Sequence, residues 1–183
     1  PLDMTNVSVN YDTEWLLNYW KTGDVGSTFK QNVTQALSTA EPGFSFNFFD
    51  KEKETLRNAC TEVTSEDDSD VCNLGSVNMG RIDNLEEFAN VVELATKFLL
   101  CGTLRAKLPY DKVYETREKN RRLGLGLMGM HEWLIKGGQK YEVTEGLHKW
   151  LAVYKGVSDN TSAKFSDTLG CSRPVANRAI APT

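Results

Sequence analysis

Arg121–Leu134 reads RRLGLGLMGMHEWL. Leu123, Leu125 and Leu127 recur at every second position, the period at which a strand points successive side chains to one face. Past Gly129 the pattern changes, and Trp133 and Leu134 fall in a helix that Gly137-Gly138 closes. Strands separated by helices predict an α/β fold with largely parallel pairing. The same letters spell Gly124-x-Gly126-x-x-Gly129, a match to the dinucleotide-binding fingerprint. That fingerprint needs an apolar strand before its first glycine, so that the turn delivers pyrophosphate to a helix N-terminus. The preceding Tyr114–Arg122, YETREKNRR, instead reads as a charged surface segment. An acidic residue about 20 positions on, where the ribose contact belongs, has only Glu142 and Glu145 as candidates. The stretch therefore reads as a strand entering a helix with tight backbone packing. A nicotinamide- or flavin-dependent (NAD/FAD) oxidoreductase using Gly124 to Gly129 is the alternative.

Outward from this stretch the elements continue in the same style. Thr144 is placed to cap a long helix carrying Leu147, Trp150, Leu151, Tyr154 and Phe165, ending before Gly170. Residues 175–181 are expected to form a final short strand. Upstream, CNLGSVNMG (Cys72–Gly80) reads as a buried strand whose small residues admit close backbone approach. Asn84 and Glu87 fit a capping box, and Leu85, Phe88, Val92, Ala95 and Leu99 form a helical stripe. SEDDSD (Ser65–Asp70) reads as an acidic, solvated loop. Nearer the start, TNVSVNYD (Thr5–Asp12) alternates as a strand, and Asp12 caps a helix with Trp15, Leu16, Tyr19 and Trp20 that stops at Gly23. Ser27 is expected to cap a second helix with Phe29, Val33, Ala36 and Leu37 on one face, ending before Pro42-Gly43. GFSFNFF (residues 43–49) places Phe44, Phe46 and Phe48 on one side of a strand. No internal repeat or composition break marks a second domain, so residues 1–183 are expected to be one piece of one domain. The chain opens on Pro1 and stops at Thr183 without a polar tail, which suggests a piece of a longer polypeptide.

Composition narrows the function classes. A net charge of −4 over 183 residues gives no reason to expect nucleic acid or an anionic membrane surface as partner. No apolar run approaches the ~20 residues of a membrane span. Four cysteines are too few for a secreted disulfide scaffold, which makes the cytoplasm the expected location. Cysteines at 60, 72, 101 and 171 with histidines at 131 and 148 lack the spacing of a structural zinc site, and the acidic run lacks that of an EF-hand loop. No metal site is expected.

RNACTEV (Arg57–Val63) sets Asn58, Cys60 and Glu62 at alternate positions, which in an extended chain would turn an amide, a thiol and a carboxylate to one side. Alone, the triplet also fits a polar loop with a chance cysteine in a non-catalytic α/β module. Taken in order with its neighbours, it resembles the catalytic subunit of ribonucleotide reductase. Asn-x-Cys-x-Glu is followed by a cysteine opening CNLGSVN a dozen residues later. PLDMTNVSV, EPGFSFNFFD, NRRLGLGLMGMHEWL and RAIAPT resemble, in turn, the family's early strand, its approach to the radical loop, its Arg- and Gly-containing strand before a helix, and the start of its Pro-Thr-Gly-Thr phosphate turn. The resemblance runs from about Leu2 to Thr183.

The resemblance implies part of a ten-stranded α/β barrel, incomplete at both ends, and thiyl-radical reduction of ribonucleotides to 2'-deoxyribonucleotides for DNA synthesis. By resemblance, Cys60 carries the radical, Glu62 is the general base, and Asn58 holds the ribose hydroxyls. Cys72 is one member of the reducing pair whose partner cysteine lies upstream in the family, and Ala181, Pro182 and Thr183 begin the phosphate contact. The radical source implied is adenosylcobalamin or a separate metal-containing subunit, with none bound by this fragment. The implied partners are a ribonucleoside di- or triphosphate, the remainder of the reductase chain, a thioredoxin- or glutaredoxin-type reductant, and a second copy in a parent homodimer. The fragment alone is expected to be inactive.

Overall fold

Two parallel strand pairs, each backed by helices, organise the protein, whose computed structural model describes residues 6–180. The chain divides into two compact units, Pro1–Asp68 and Ser69–Thr183.

In the first unit β1 (Ser8–Tyr11) pairs in parallel with β2 (Gly43–Phe46), Tyr11 opposite Phe46 and Asn10 opposite Ser45. The strand yields to α1 (Thr13–Thr22) where the Asp12 carboxylate accepts the Trp15 amide at 2.9 Å, and Gly23 ends that helix in the left-handed region. α2 (Gly26–Thr39) follows. Strand alternation puts Val9, Tyr11, Phe44 and Phe46 on one face. There Tyr11 meets the rings of Trp15 at 5.0 Å and Phe29 at 5.2 Å, and Phe29 lies 5.7 Å from Phe44. The opposite face carries Asn10 and Ser45, and Asn47 extends it. Ser45 and Asn47 are only 1% exposed, whereas Phe46 is 44% exposed. On β2 the polar side is thus the better buried, whereas on β1 Tyr11 of the aromatic side is buried and Asn10 is exposed. Two details of α2 also differ from expectation: Val25, not Ser27, is its N-cap, and Leu37 points outward at 85% exposure. Last in this unit, β3 (Leu56–Arg57) and β4 (Thr64–Ser65) form an antiparallel hairpin of two residue pairs.

In the second unit β5 (Asn73–Asn78) runs parallel to β6 (Leu123–Met128) over six pairs, Leu74 opposite Gly124 and Ser76 opposite Gly126. α3 (Leu85–Arg105), α4 (Asp111–Asn120), α5 (Met130–Lys136) and α6 (Glu145–Leu169) complete it. Caps set the helix starts: Asn84 accepts the Glu87 amide at 2.9 Å and Thr144 accepts the Leu147 amide at 3.1 Å. The Glu87 side chain reaches back to the Asp83 amide instead of closing the expected box on Asn84. Val77, Leu123, Leu125 and Leu127 form one core with Phe88, Val92 and Leu99 of α3 and Leu147, Trp150 and Tyr154 of α6. After α6 the chain returns beside β6. Leu123 and Leu125 donate to the carbonyls of Ala176 and Asn177, and Ala179 donates to Leu125, so the expected last strand is present as a single parallel bridge at Arg178 with flanking hydrogen bonds.

Two readings need correction here. YETREKNRR is not a surface segment but the end of α4, with Thr116, Arg117, Asn120 and Arg121 all buried. The Arg121 guanidinium is wholly buried and pairs with Glu118, while its Nε donates to Ser172 at 2.9 Å. Nor is SEDDSD a solvated loop throughout, because Ser65 is buried in β4 and Asp70 pairs with Arg122 at 3.1 Å, both side chains largely covered. Among the described residues the strands form three two-stranded sheets and no closed barrel. None of the described helices is long and apolar enough to cross a membrane.

Candidate active site

Asn58, Cys60 and Glu62 lie at the tip of the β3–β4 hairpin. The backbone there is not extended. It turns, with the Thr61 amide donating to the Asn58 carbonyl at 3.0 Å and Thr61 itself at φ +65°. The turn brings the amide and the carboxylate together without an extended chain. The Asn58 side chain donates from Nδ2 to Glu62 Oε1 at 2.6 Å and accepts the Val63 amide on Oδ1 at 3.1 Å. Asparagine suits this position because its short amide bonds backbone a few residues on and closes turns. Asn58 and Glu62 are therefore held together with Cys60 between them in sequence, and Cys60 is an exposed thiol. The second carboxylate oxygen, Glu62 Oε2, is buried and has no hydrogen-bond partner.

Sequence reading missed what lies under this loop. Arg57, the last residue of β3, donates from Nε to Ser45 Oγ at 3.0 Å and from Nη2 to Asn47 Oδ1 at 2.6 Å and the Phe46 carbonyl at 3.2 Å. Asn47 in turn donates to Ser45 Oγ at 2.8 Å and to Asn10 Oδ1. On the other strand, Thr64 donates to Glu54 Oε2 at 3.0 Å. The available signal was the Ser and Asn alternating with phenylalanine in GFSFNFF, which marks a second face as well as the aromatic one.

Cys72 stands in the second unit, immediately before β5, and is half-buried. It shares a face with Leu74 and Ser76, the face opposite the helix-covered leucines. Gly124 of β6 lies under it: a Cβ there would fall 2.9 Å from Cys72 Sγ and 2.3 Å from a Leu74 methyl. A Cβ on Gly126 would meet the Ala179 carbonyl oxygen at 2.9 Å. Both glycines thus sit within the strand and serve close packing. Only Gly129, at φ +68°, occupies the strand-to-helix turn. A dinucleotide fingerprint needs its first glycine in that turn, so the strand-and-helix reading is the one the backbone follows.

Ala181, Pro182 and Thr183 lie outside the described residues. The run leading to them is pinned. Arg178 donates to Ser158 Oγ at 2.6 Å and pairs with Asp159, which also accepts Asn177 Nδ2 at 2.9 Å. Burial pushes the Tyr154 phenol up to about 12, with the Arg178 cation opposing, so its O–H stays a donor, bonded to the Leu125 carbonyl.

Residues 12–166 match the family model described as the ribonucleotide reductase barrel domain. The chain belongs to that family. Among curated relatives, it is 29% identical over 201 residues to a Mycobacterium phage D29 protein whose name includes "adenosylcobalamin-dependent ribonucleoside-triphosphate reductase", with 98% of this chain and 29% of the relative covered. It is also 29% identical over 188 residues to the vitamin B12-dependent ribonucleotide reductase of Agrobacterium fabrum, covering 89% of this chain and 15% of that one. A B12-dependent (class II) ribonucleotide reductase crystal structure superposes with a TM-score of 0.72 at 19% identity, over 95% of this chain and 27% of that one. The class Id reductase alpha subunit of Actinobacillus ureae gives 0.69 at 18% identity, over 97% and 40%. These likenesses establish an α/β fold of the reductase-barrel type. The chain spans less than a third of the length of those two curated relatives.

Proposed function

We propose that this chain supplies the radical-bearing part of a ribonucleotide reductase catalytic centre. The observation that carries the reading is the hairpin tip, where one turn holds an amide and a carboxylate 2.6 Å apart beside an exposed thiol, with one carboxylate oxygen buried and unpartnered.

A ribose 2'-hydroxyl is a poor leaving group on an unactivated carbon, and a radical at C3' eases its loss. Cys60, as a thiyl, takes the 3' hydrogen atom. Glu62 accepts the 3'-hydroxyl proton on Oε2, the carboxylate oxygen that no described residue engages; the base must sit within hydrogen-bond reach of that proton. Asn58 fixes Glu62 and presents its amide to the sugar hydroxyls. The 2'-hydroxyl departs as water with a proton from one thiol of the reducing pair, and the other thiol supplies the hydrogen that C2' gains. The pair gives up two electrons as it closes to a disulfide. Glu62 returns its proton to the 3' oxygen and Cys60 returns the hydrogen atom to C3'. Cys72 is one of the two thiols, and its partner belongs to another part of the parent enzyme. Holding the reacting groups on one closed turn supplies the orientation on which such a reaction depends.

The radical source, adenosylcobalamin or a separate metal-bearing subunit, supplies the one-electron oxidation of Cys60. The exposed sulfur fits access by either, and the names of several relatives favour cobalamin. The reading extends to residues 1–183 as a single piece of a ten-stranded catalytic barrel in a cytoplasmic, homodimeric parent. Its substrate is a ribonucleoside di- or triphosphate and its reductant of thioredoxin or glutaredoxin type, with Ala181, Pro182 and Thr183 opening the phosphate contact. The test is Cys60→Ser in the reductase that contains this chain. Nucleotide binding is retained and no deoxynucleotide forms; normal turnover in that variant would remove Cys60 from the reaction.

A further inference from the structure

We infer that Arg57 is a positioning residue for the cysteine loop, fixing the tip that carries Cys60 and Glu62 against the polar face of the β1–β2 sheet. The inference rests on the reading of that loop as catalytic.

The hairpin does not hold itself in place. β3 and β4 share two residue pairs, Leu56 with Ser65 and Arg57 with Thr64, and a two-stranded ribbon is marginal in water even when longer. The tip beyond it is closed on itself. The Asn58 carbonyl and side chain together engage Thr61, Glu62 and Val63, so the bonds that close the loop all rest on Asn58, whose placement is set where it joins β3. Arg57 is that junction, adjacent to Asn58 in the chain.

Its guanidinium bonds three acceptors at the end of β2, Ser45 Oγ, the Phe46 carbonyl and, one residue past the strand, Asn47 Oδ1. All three are uncharged, so the contact is a fitted fork, not an ion pair of adjustable geometry. Ser45 and Asn47 are themselves immobilised, each 1% exposed and bonded to one another, with Asn47 tied on to Asn10 of β1. Burial lowers the Arg57 pKa from its ordinary value, with the Glu54 carboxylate opposing. The chain of contacts therefore runs from β1 through β2 to the residue beside the site. A misplacement on the order of 1 Å at reacting groups can cost roughly 10²-fold in rate, and this fork restrains that displacement.

The test is amide hydrogen exchange on the intact chain. In Arg57→Ala, exchange at Thr61 and Val63 rises by about 10- to 100-fold, the change expected on losing hydrogen bonds to a charged group. Amides of α1 and of the β1–β2 ladder hold their rates. Ser45→Ala, which removes the acceptor shared by Arg57 Nε and Asn47 Nδ2, gives a smaller rise at the same two amides and serves as the test if Arg57→Ala does not fold. At these two amides the double variant exchanges no faster than Arg57→Ala, since Ser45 acts on the loop through Arg57. Arg57→Lys, with the charge but without the fork, recovers part of the protection. In the parent reductase Arg57→Ala lowers kcat while the KM for nucleotide is held. Unchanged exchange at both amides, or a rise spread evenly over the first unit, overturns the inference. Exchange is measured without turnover, so its failure is separate from the failure of the reductase reading, which Cys60→Ser decides.

Discussion

The two units solve the same placement problem in different ways. Each has a parallel strand pair with helices on one face and the candidate site residues on the side away from them. In the second unit, Cys72 sits at the foot of a six-pair ladder backed by an aliphatic core. In the first, Cys60 stands on a hairpin of two pairs, held by side-chain hydrogen bonds. On the roles proposed, the sulfur that reaches a substrate is carried on a tip, and the one that meets another sulfur stands at the start of a strand. Changes near Cys60 should accordingly affect chemistry more than stability, and changes near Cys72 should affect stability as well.

The sharpest test of that contrast is Glu62→Gln. The amide keeps an oxygen to accept from Asn58 and removes the base, so turnover of the parent enzyme falls by about 10²–10⁴-fold, while the thermal midpoint of the first unit is unchanged. A matching drop in stability would merge the two cases. On the other side, Phe88→Ala removes a ring wholly buried and 4.7 Å from Trp150. Denaturant titration should show a loss of about 3–5 kcal/mol. Gly124→Ala is smaller, about 1–3 kcal/mol of overpacking, and it displaces the Cys72 thiol. Alkylation of Cys72 should change while that of Cys60 does not. Thr144→Ala costs about 1 kcal/mol through the lost cap of α6.

Acid gives the mildest effect. Burial raises the Asp159 pKa, but hydrogen bonds from Arg178 and Asn177 outweigh it and hold the carboxyl below its ordinary value. A carboxyl depressed on folding adds stability above its unfolded pKa of about 3.9 and loses it as pH falls through the folded value. Asp159→Asn should therefore lower the thermal midpoint slightly at neutral pH, and the difference from the parent protein should close in acid.

Helix starts and core stripes were legible because their signals are local: Asp12, Asn84 and Thr144 cap as expected, and Leu85, Phe88, Val92, Ala95 and Leu99 face inward. α4 was not legible because it has no apolar stripe. Of its buried residues, Thr116, Arg117 and Asn120 are polar and only Val113 is not, so their burial depends on partners distant in sequence. Asn58, Cys60 and Glu62 were legible as a set, but not their geometry. Alternate spacing fits a strand and a turn equally, and the left-handed Thr61 decides between them. The Arg57 fork was hidden for a further reason: its acceptors lie 10 to 12 residues upstream at the end of another strand, beyond any local pattern.

The placement of the indoles has a practical consequence. Trp15 and Trp20 belong to the first unit, Trp133 and Trp150 to the second, and the sequence has no others. Trp15 stacks within the ring cluster of the β1–β2 sheet, and Trp133 and Trp150 lie 4.9 Å apart beside the aliphatic core. Replacing either pair with phenylalanine would leave intrinsic fluorescence reporting on one unit at a time. Whether the two melt together or in sequence could then be read from emission alone, with no added label.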